Sequence, residues 1–405
     1  MLRFLTAGES HGQALVVIVE GMPAGLPLDA HLLRRDLARR QLGYGRGRRM
    51  AIERDEAVIL SGVRRGETIG SPIALLIANR DFPSWEHTMS AEANPPETLG
   101  GARREAVTRP RPGHADLAGA MKYGRRDLRD ILERASARET AARVAAGAIA
   151  RALLARYDVA VASHVTNIGG AKIPSPMTIT FDEVRALPDD DDLRCVDQSV
   201  AEAMRAAIDR AKAGGNTVGG SFEVIAHGVP PGLGSHVHWD RKLDGRLAQA
   251  LMSIPAIKAV GFGLAAEVGD MPGSRAHDEI IPASDGPSGT VPSISRPTNR
   301  AGGLEGGISN GEDIRLTAWM KPISTLMRPL RSVDLETLEP AEAAIERSDV
   351  CAVPAAATVG EAMTCLVLSD AWLERFGSDT VAAIDDAVRR SSERAAARLG
   401  RTGGL

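Results

Sequence analysis

The chain repeats itself. Gly21, Pro23, Gly25 and Leu26 return as Gly228, Pro230, Gly232 and Leu233, each 207 positions later (228 minus 21). Arg34 and Arg39 return at the same offset as Arg241 and Arg246. A second block, Gly62, Gly66, Glu67 and Ile69, matches Gly307, Gly311, Glu312 and Ile314 at an offset of 245 (307 minus 62), in the same order. Two similar strand-turn-helix-strand units must therefore pack around one core. Their Gly- and Pro-rich turns favour antiparallel sheets with helices on one face, an α+β arrangement. The expected organisation is a single domain with pseudo-repeats over 1–160 and 215–370, a helical linker over 195–214, and a C-terminal helix and tail over 370–405.

Local patterns fill in this frame. Ala14 to Glu20 reads as a buried strand, and Val58 to Val63 and Pro72 to Ala78 as further strands. Asp29 caps a helix running through Leu32, Leu33 and Leu37. Leu128 to Tyr157 reads as one long alanine-rich helix, Asp189 to Asp192 as a solvated loop, and Ser199 to Ala213 as a helix.

No G-x-G-x-x-G follows the first strand, and neither Val218–Ser221 nor Gly302–Gly307 carries a Walker lysine, so a phosphate cofactor must be held another way. The net charge of −3 favours neither nucleic acid nor an anionic membrane. No apolar run is long enough to span a bilayer. Three cysteines, Cys195, Cys351 and Cys365, have no metal-type spacing and suit a reducing cytoplasm.

Four clusters can carry chemistry. His11, in Gly8-Glu9-Ser10-His11-Gly12, is poorly shielded and suited to proton transfer near neutrality. A field of arginines (34, 35, 39, 40, 46, 48, 49 and 54) surrounds the glycine-broken Gln41–Gly45. Such guanidinium groups fork onto phosphate or carboxylate. An RNA-binding patch is the alternative, but stacking aromatics are scarce there. His114 lies in the proline-stiffened Thr108–Asp116 loop beside arginines. Downstream, Glu133-Arg134-Ala135-Ser136-Ala137 offers either a phosphate site or a simple helix cap at Ser136. In the last third, Lys321-Pro322-Ile323-Ser324-Thr325 supplies a cation and two hydroxyls. Arg347 and Asp349, two apart, either share a face of one site or form a surface ion pair.

Together these clusters resemble the chorismate synthase family over nearly the whole chain. The most specific stretches are R-P-R-P-G-H-A-D-L-A-G-A-M-K-Y from Arg109, R-A-S-A-R-E-T from Arg134 and G-S-H-V-H-W-D-R-K-L-D from Gly234. The resemblance implies a homotetramer whose subunit sandwiches helices between antiparallel sheets, binding reduced FMN. It carries flavin contact onto Ala135, Ser136, Ala137, Pro255, Ala256, Gly306, Lys321, Pro322, Ile323, Ser324, Thr325 and Arg347. Pro255 departs from the polar residue of many relatives, which removes a side-chain bond. Arg40, Arg46 and Arg49, with Ser10 and Arg134, are expected to face the substrate; Arg40 and Arg46 are alternatively assigned to NADPH.

On that resemblance the reaction is the anti-1,4-elimination of phosphate from 5-enolpyruvylshikimate 3-phosphate to give chorismate. His11, His114 and Asp349 are its expected catalytic residues: His11 protonates the departing phosphate, His114 serves the flavin and Asp349 assists removal of the ring hydrogen. No separate reductase domain is apparent, so reduction by an outside donor is expected, with NADPH the other source of reducing equivalents. The competing classes are a flavin-independent phosphate lyase and an arginine-rich RNA-binding protein.

Overall fold

The computed structural model describes residues 1–47, 54–96, 99, 105–283, 293–346 and 349–399. The first sheet contains β1 (Arg3–Ala7), β2 (Ala14–Glu20), β3 (Ala57–Ile59) and β4 (Ile73–Ala78), in the order β1-β2-β4-β3. The second contains β5 (Ala160–Ile168), β6 (Ala171–Lys172), β7 (Gly220–His227), β8 (Ile257–Phe262) and β9 (Ile314–Met320), in the order β8-β9-β7-β5-β6. All pairings within both sheets are antiparallel. Apart from the added β6, the two orders are the same. Helices α1 (Ala30–Gln41), α2 (Asp116–Tyr123), α3 (Thr140–Ala155), α4 (Gln198–Ala213), α5 (Leu243–Met252), α6 (Val353–Phe376) and α7 (Val381–Leu399) complete the chain's longer elements.

The duplication is visible at single hydrogen bonds. Thr68 Oγ1 accepts from the Leu26 N–H (2.9 Å) and donates to the Pro23 carbonyl (2.5 Å). In the second half, Ser309 Oγ accepts from the Leu233 N–H (2.8 Å) and donates to the Pro230 carbonyl (2.7 Å). Pro23 and Leu26 keep their offset of 207, but Thr68 maps to Ser309, an offset of 241 (309 minus 68). The second block is therefore out of register by four as read from sequence: Gly66 corresponds to Gly307, not Gly311. Gly66 and Gly307 occupy the same left-handed position (φ +81° and +88°) of two equivalent hairpins. Glycine spacing alone could not distinguish these alignments, because Gly303, Gly307 and Gly311 recur every four residues.

Alternation puts Leu15, Val17 and Val19 of β2 and Ile73, Leu75 and Ile77 of β4 into the interior. Helix α3 packs on this first sheet and α6 on β5 and β7 of the second. The two helices meet where Gly147 passes Ala362, so the layers run sheet, helices, sheet. Helix α6 is almost entirely buried yet contains Glu361, which binds Arg39 and Arg151 in the centre of the sandwich. No helix among the described residues is long and apolar enough to cross a membrane.

Two sequence-based expectations change. Asp29 caps α1 through the His31 N–H as expected (2.8 Å). The helix expected over 128–157 is instead interrupted: a short turn covers Arg129–Leu132, and α3 begins only at Thr140. Ser136 is extended (φ −68°, ψ 144°) and caps the intervening turn through the Arg138 N–H. The strand expected over 58–63 also ends early, at Ile59.

Candidate active site

The loop between β1 and β2 carries Ser10 and His11, and two side chains hold it. The Asn79 amide, just beyond β4, donates to the carbonyls of Glu9 (3.1 Å) and Gly12 (2.6 Å). Glu133 accepts from the His11 backbone N–H (2.8 Å), and its two oxygens lie 2.8 and 3.0 Å from His11 Nδ1. Burial opposes the charge on Glu133, but the bonds from His11 and the nearby Arg129 hold its carboxyl below the ordinary value. The His11 ring stacks on Trp85, with centroids 4.0 Å apart.

The interrupted helix brings Ser136 to the same place. Its hydroxyl donates to Ser10 Oγ (3.2 Å), and the Ala137 carbonyl accepts from Arg40 Nη2 (3.0 Å). Arg40, at the end of α1, also bonds Thr140 Oγ1 (3.0 Å) and Asp55 (3.2 Å). Arg138 shares that same Asp55 carboxylate. Burial, followed by the like charges of Arg138 and Arg46, outweighs Asp55 and pushes Arg40 down to about 10. Neighbouring buried cations of this kind lower one another's pKa, and a bound anion would relieve that repulsion. Arg46 pairs with Asp349 (2.7 Å), whose other oxygen accepts from the Gly47 N–H (2.6 Å). Arg134 points along β1, donating to the carbonyls of Gly8 (3.1 Å) and Thr6 (2.9 Å).

His114 stands in a second group. Its Nδ1 bonds Asp116, which opens α2 and also takes Arg111 Nε at 2.9 Å. Burial would raise the Asp116 carboxyl, but His114 and Arg111 hold it far below the ordinary carboxylate range. Arg111 reaches on to Thr325 Oγ1 (3.0 Å). The strap 321–325 closes over this loop: Lys321 Nζ and Ser324 Oγ both donate to the Gly113 carbonyl (2.8 Å each). The Lys321 N–H donates to the Ala256 carbonyl (2.9 Å), which sets Pro255 and Ala256 beside the strap.

The stretch leading into α6 joins these groups. The Ala344 N–H bonds the Arg109 carbonyl (3.3 Å) at the base of the His114 loop. Glu346 lies 3.9 Å from Arg129, behind His11, and Asp349 holds Arg46. Val350 bonds Gly45 and also accepts from Val218, next to the Thr217 side chain that donates to the Ile323 carbonyl. Residues of this stretch thus touch the His11 group, the His114 loop and the arginine loop, and are linked to the 321–325 strap through Val218 and Thr217. Gly306 lies apart, at the exposed tip of the hairpin Leu304–Ser309. That hairpin is bonded to Leu233 and Leu243, near the start of β9, whereas Lys321 follows its end, roughly 20 Å away along the strand. Arg49 and Arg347 lie outside the described residues.

The chorismate synthase family model matches residues 2–373. The chain belongs to the chorismate synthase family. It is 55% identical over 394 residues to the chorismate synthase of Geobacter sulfurreducens, covering 97% of this chain and 98% of the relative. Identity to the chorismate synthase of Moorella thermoacetica is 57%, covering 95% and 97%. For the chorismate synthase of Desulforudis audaxviator it is 54%, covering 100% of both. A crystal structure of a chorismate synthase superposes with a TM-score of 0.77 at 39% identity, covering 98% of each chain.

Within this chorismate synthase fold, several site residues were not singled out from sequence. Glu133 and Asp116 back the two histidines, and Asn79, Asp55 and Arg138 fix the loop and the arginines around them. Asp116 had a local signal, since a carboxylate two residues after His114 in a turn can fold back onto the ring. Glu133, 122 positions from His11, had none. The arginine field was read too uniformly: Arg39 faces inward and forks onto Glu361 (2.8 and 2.7 Å).

Proposed function

We propose that this site eliminates phosphate from 5-enolpyruvylshikimate 3-phosphate, giving chorismate and inorganic phosphate with no net redox change. The observation that carries the reading is a pair of carboxylate-backed histidines in one fold with a cluster of arginines, the buried Arg40 and Arg138 and the half-buried Arg46. That arrangement suits a ligand bearing two carboxylates and a phosphate. His11 gives a proton to the departing phosphate oxygen. Asp349, steered by Arg46 and the Gly47 N–H, accepts the proton released from the substrate ring. Arg40, Arg46 and Arg49 neutralise the substrate, and Ser10 and Arg134 border it.

The residues also fit FMN. Lys321 has no carboxylate partner among the described residues, and burial together with Lys258 lowers its pKa, as expected of a site that receives negative charge. Lys321 to Thr325 with Pro255, Ala256, Arg347 and the Ala135–Ala137 turn would hold the flavin, and His114 would hold a proton beside it. Gly306 belongs to this set only by resemblance. Bound reduced, FMN supplies an electron-rich ring that assists C–O cleavage. The protein holds the two ligands together and excludes water and oxygen. NADPH or an outside reductase keeps the flavin reduced.

Assembly as a homotetramer fits the outer face of the first sheet. Leu5 and Ile18 pair across β1 and β2 and are exposed, as is Val58 on β3. Phe181, Val184 and the helix they belong to cover the corresponding face of the second sheet. The three buried, unpaired cysteines suit a cytoplasmic setting. An RNA-binding role loses its footing because much of the arginine field is spent on internal carboxylates. The test is release of inorganic phosphate from 5-enolpyruvylshikimate 3-phosphate without oxygen. Release only with reduced FMN is expected; release without any flavin favours a flavin-independent lyase, and no release at all overturns the reading.

A further inference from the structure

His11 is gripped on an edge and on a face. Glu133 takes its Nδ1 and its backbone N–H, and the Glu133 carbonyl accepts from the Ser10 N–H (3.0 Å). The Glu133 side chain is only 1% exposed, so water competes little for its oxygens. Arg129 donates to Glu133 Oε1 (3.2 Å), the oxygen nearest His11 Nδ1, and lays its guanidinium over Trp85 (5.1 Å from the ring centroid). Trp85 in turn stacks on His11 and is anchored by its indole N–H to Asp81 (3.1 Å). The four side chains form a closed ring of contacts, and a carboxylate at Nδ1 fixes which nitrogen keeps its proton.

We propose that Glu133 is the positioning residue for His11, holding the neutral ring as its Nδ1–H form so that proton exchange with the ligand occurs at Nε2. The rate consequence rests on the lyase reading above; the tautomer does not. When imidazolium gives its Nε2 proton to the phosphate oxygen, the product is the Nδ1–H imidazole, the form Glu133 accepts from. The transfer therefore needs no ring flip and no second proton movement. Without the carboxylate, neutral imidazole reverts to its intrinsic preference for Nε2–H, and the proton-accepting nitrogen, Nδ1, faces residue 133 instead of the ligand.

The test uses the full chain labelled with ¹⁵N-histidine. Ring nitrogen shifts should report Nδ1–H for neutral His11 in the wild type and in Glu133→Gln, whose amide oxygen still accepts. Glu133→Leu should switch the ring to Nε2–H. Its kcat should fall by about 10²–10⁴-fold, the range for a misdirected general acid–base group, with KM and flavin affinity little changed. Glu133→Gln should recover most of that loss. A wild-type His11 resting as Nε2–H, or wild-type kcat in Glu133→Leu, overturns the proposal. If Glu133→Leu does not fold, the wild-type tautomer alone decides. A wild type that shows the Nδ1–H form but releases no phosphate overturns the lyase reading and leaves Glu133's role standing.

Discussion

Each catalytic candidate is held by a charged partner: His11 by Glu133, His114 by Asp116 and Asp349 by Arg46. Such pairing fixes direction at the cost of mobility, which suits groups that must meet a ligand at set atoms. Replacing His11 or His114 with Ala should lower kcat by about 10²–10⁴-fold and leave flavin binding largely intact, as measured by anaerobic turnover and flavin titration. Unchanged turnover would remove that histidine from the chemistry. Arg46→Ala should raise the substrate KM about tenfold or more, since a charge-assisted bond contributes about 1.5–3 kcal/mol. An unaltered KM would put Arg46 outside the substrate pocket. At this scale the loops that carry the candidate ligand-facing residues were legible, because glycine, proline and arginine mark them. Their supports were not. Glu133 and Asn79 are ordinary residues whose importance comes only from the fold that brings them to the loop around His11.

Among the elements, the turn from Ala135 to Ala137 matters most for the site, because a continuous helix would bury its backbone groups in helical bonds. Composition hid this break: alanine and arginine read as good helix formers straight through it. The strands were easier, since alternation in β2 and β4 matches the inward-facing residues. The repeat located the paired turns correctly and misplaced one hairpin by four residues, an error only hydrogen-bond partners could correct. Helices α3 and α6 pack closely against each other. A Cβ on Gly147 would stand 2.4 Å from the Ala362 Cβ and 2.5 Å from its Cα. Gly147→Val should therefore destabilise the protein by about 1–3 kcal/mol through overpacking, read from urea denaturation. Wild-type stability would mean the helices separate more easily than this contact implies.

The molecule as a whole is locked by charge inside its sandwich. Glu361 on α6 binds Arg39 of α1, Arg151 of α3 and Ser163 of β5, joining both sheets' helices. Burial alone would raise its carboxyl, but Arg39, Arg151 and Arg194 drive it far below the ordinary 4.5. A carboxylate depressed in the folded state adds stability above its unfolded value and loses it as pH falls toward the folded one. Glu361→Gln should cost about 3–5 kcal/mol at neutral pH, because buried guanidinium groups are left uncompensated. The deficit should shrink as pH drops below about 4.5, measured by urea denaturation across pH. A constant deficit would deny the carboxylate its electrostatic role. Nothing in the sequence announced this network: a glutamate in an apolar helix gives no sign of which three arginines will surround it.

The proposed chemistry requires one arrangement, His11, His114 and Asp349 around a single bound substrate and flavin. An oxygen-free crystal structure with FMN and 5-enolpyruvylshikimate 3-phosphate tests it directly. The expected result sets the phosphate within hydrogen-bond reach of His11 Nε2, the flavin against Lys321–Thr325 and His114, and Asp349 beside both ligands. Phosphate bound away from His11, or flavin bound away from His114, would contradict it.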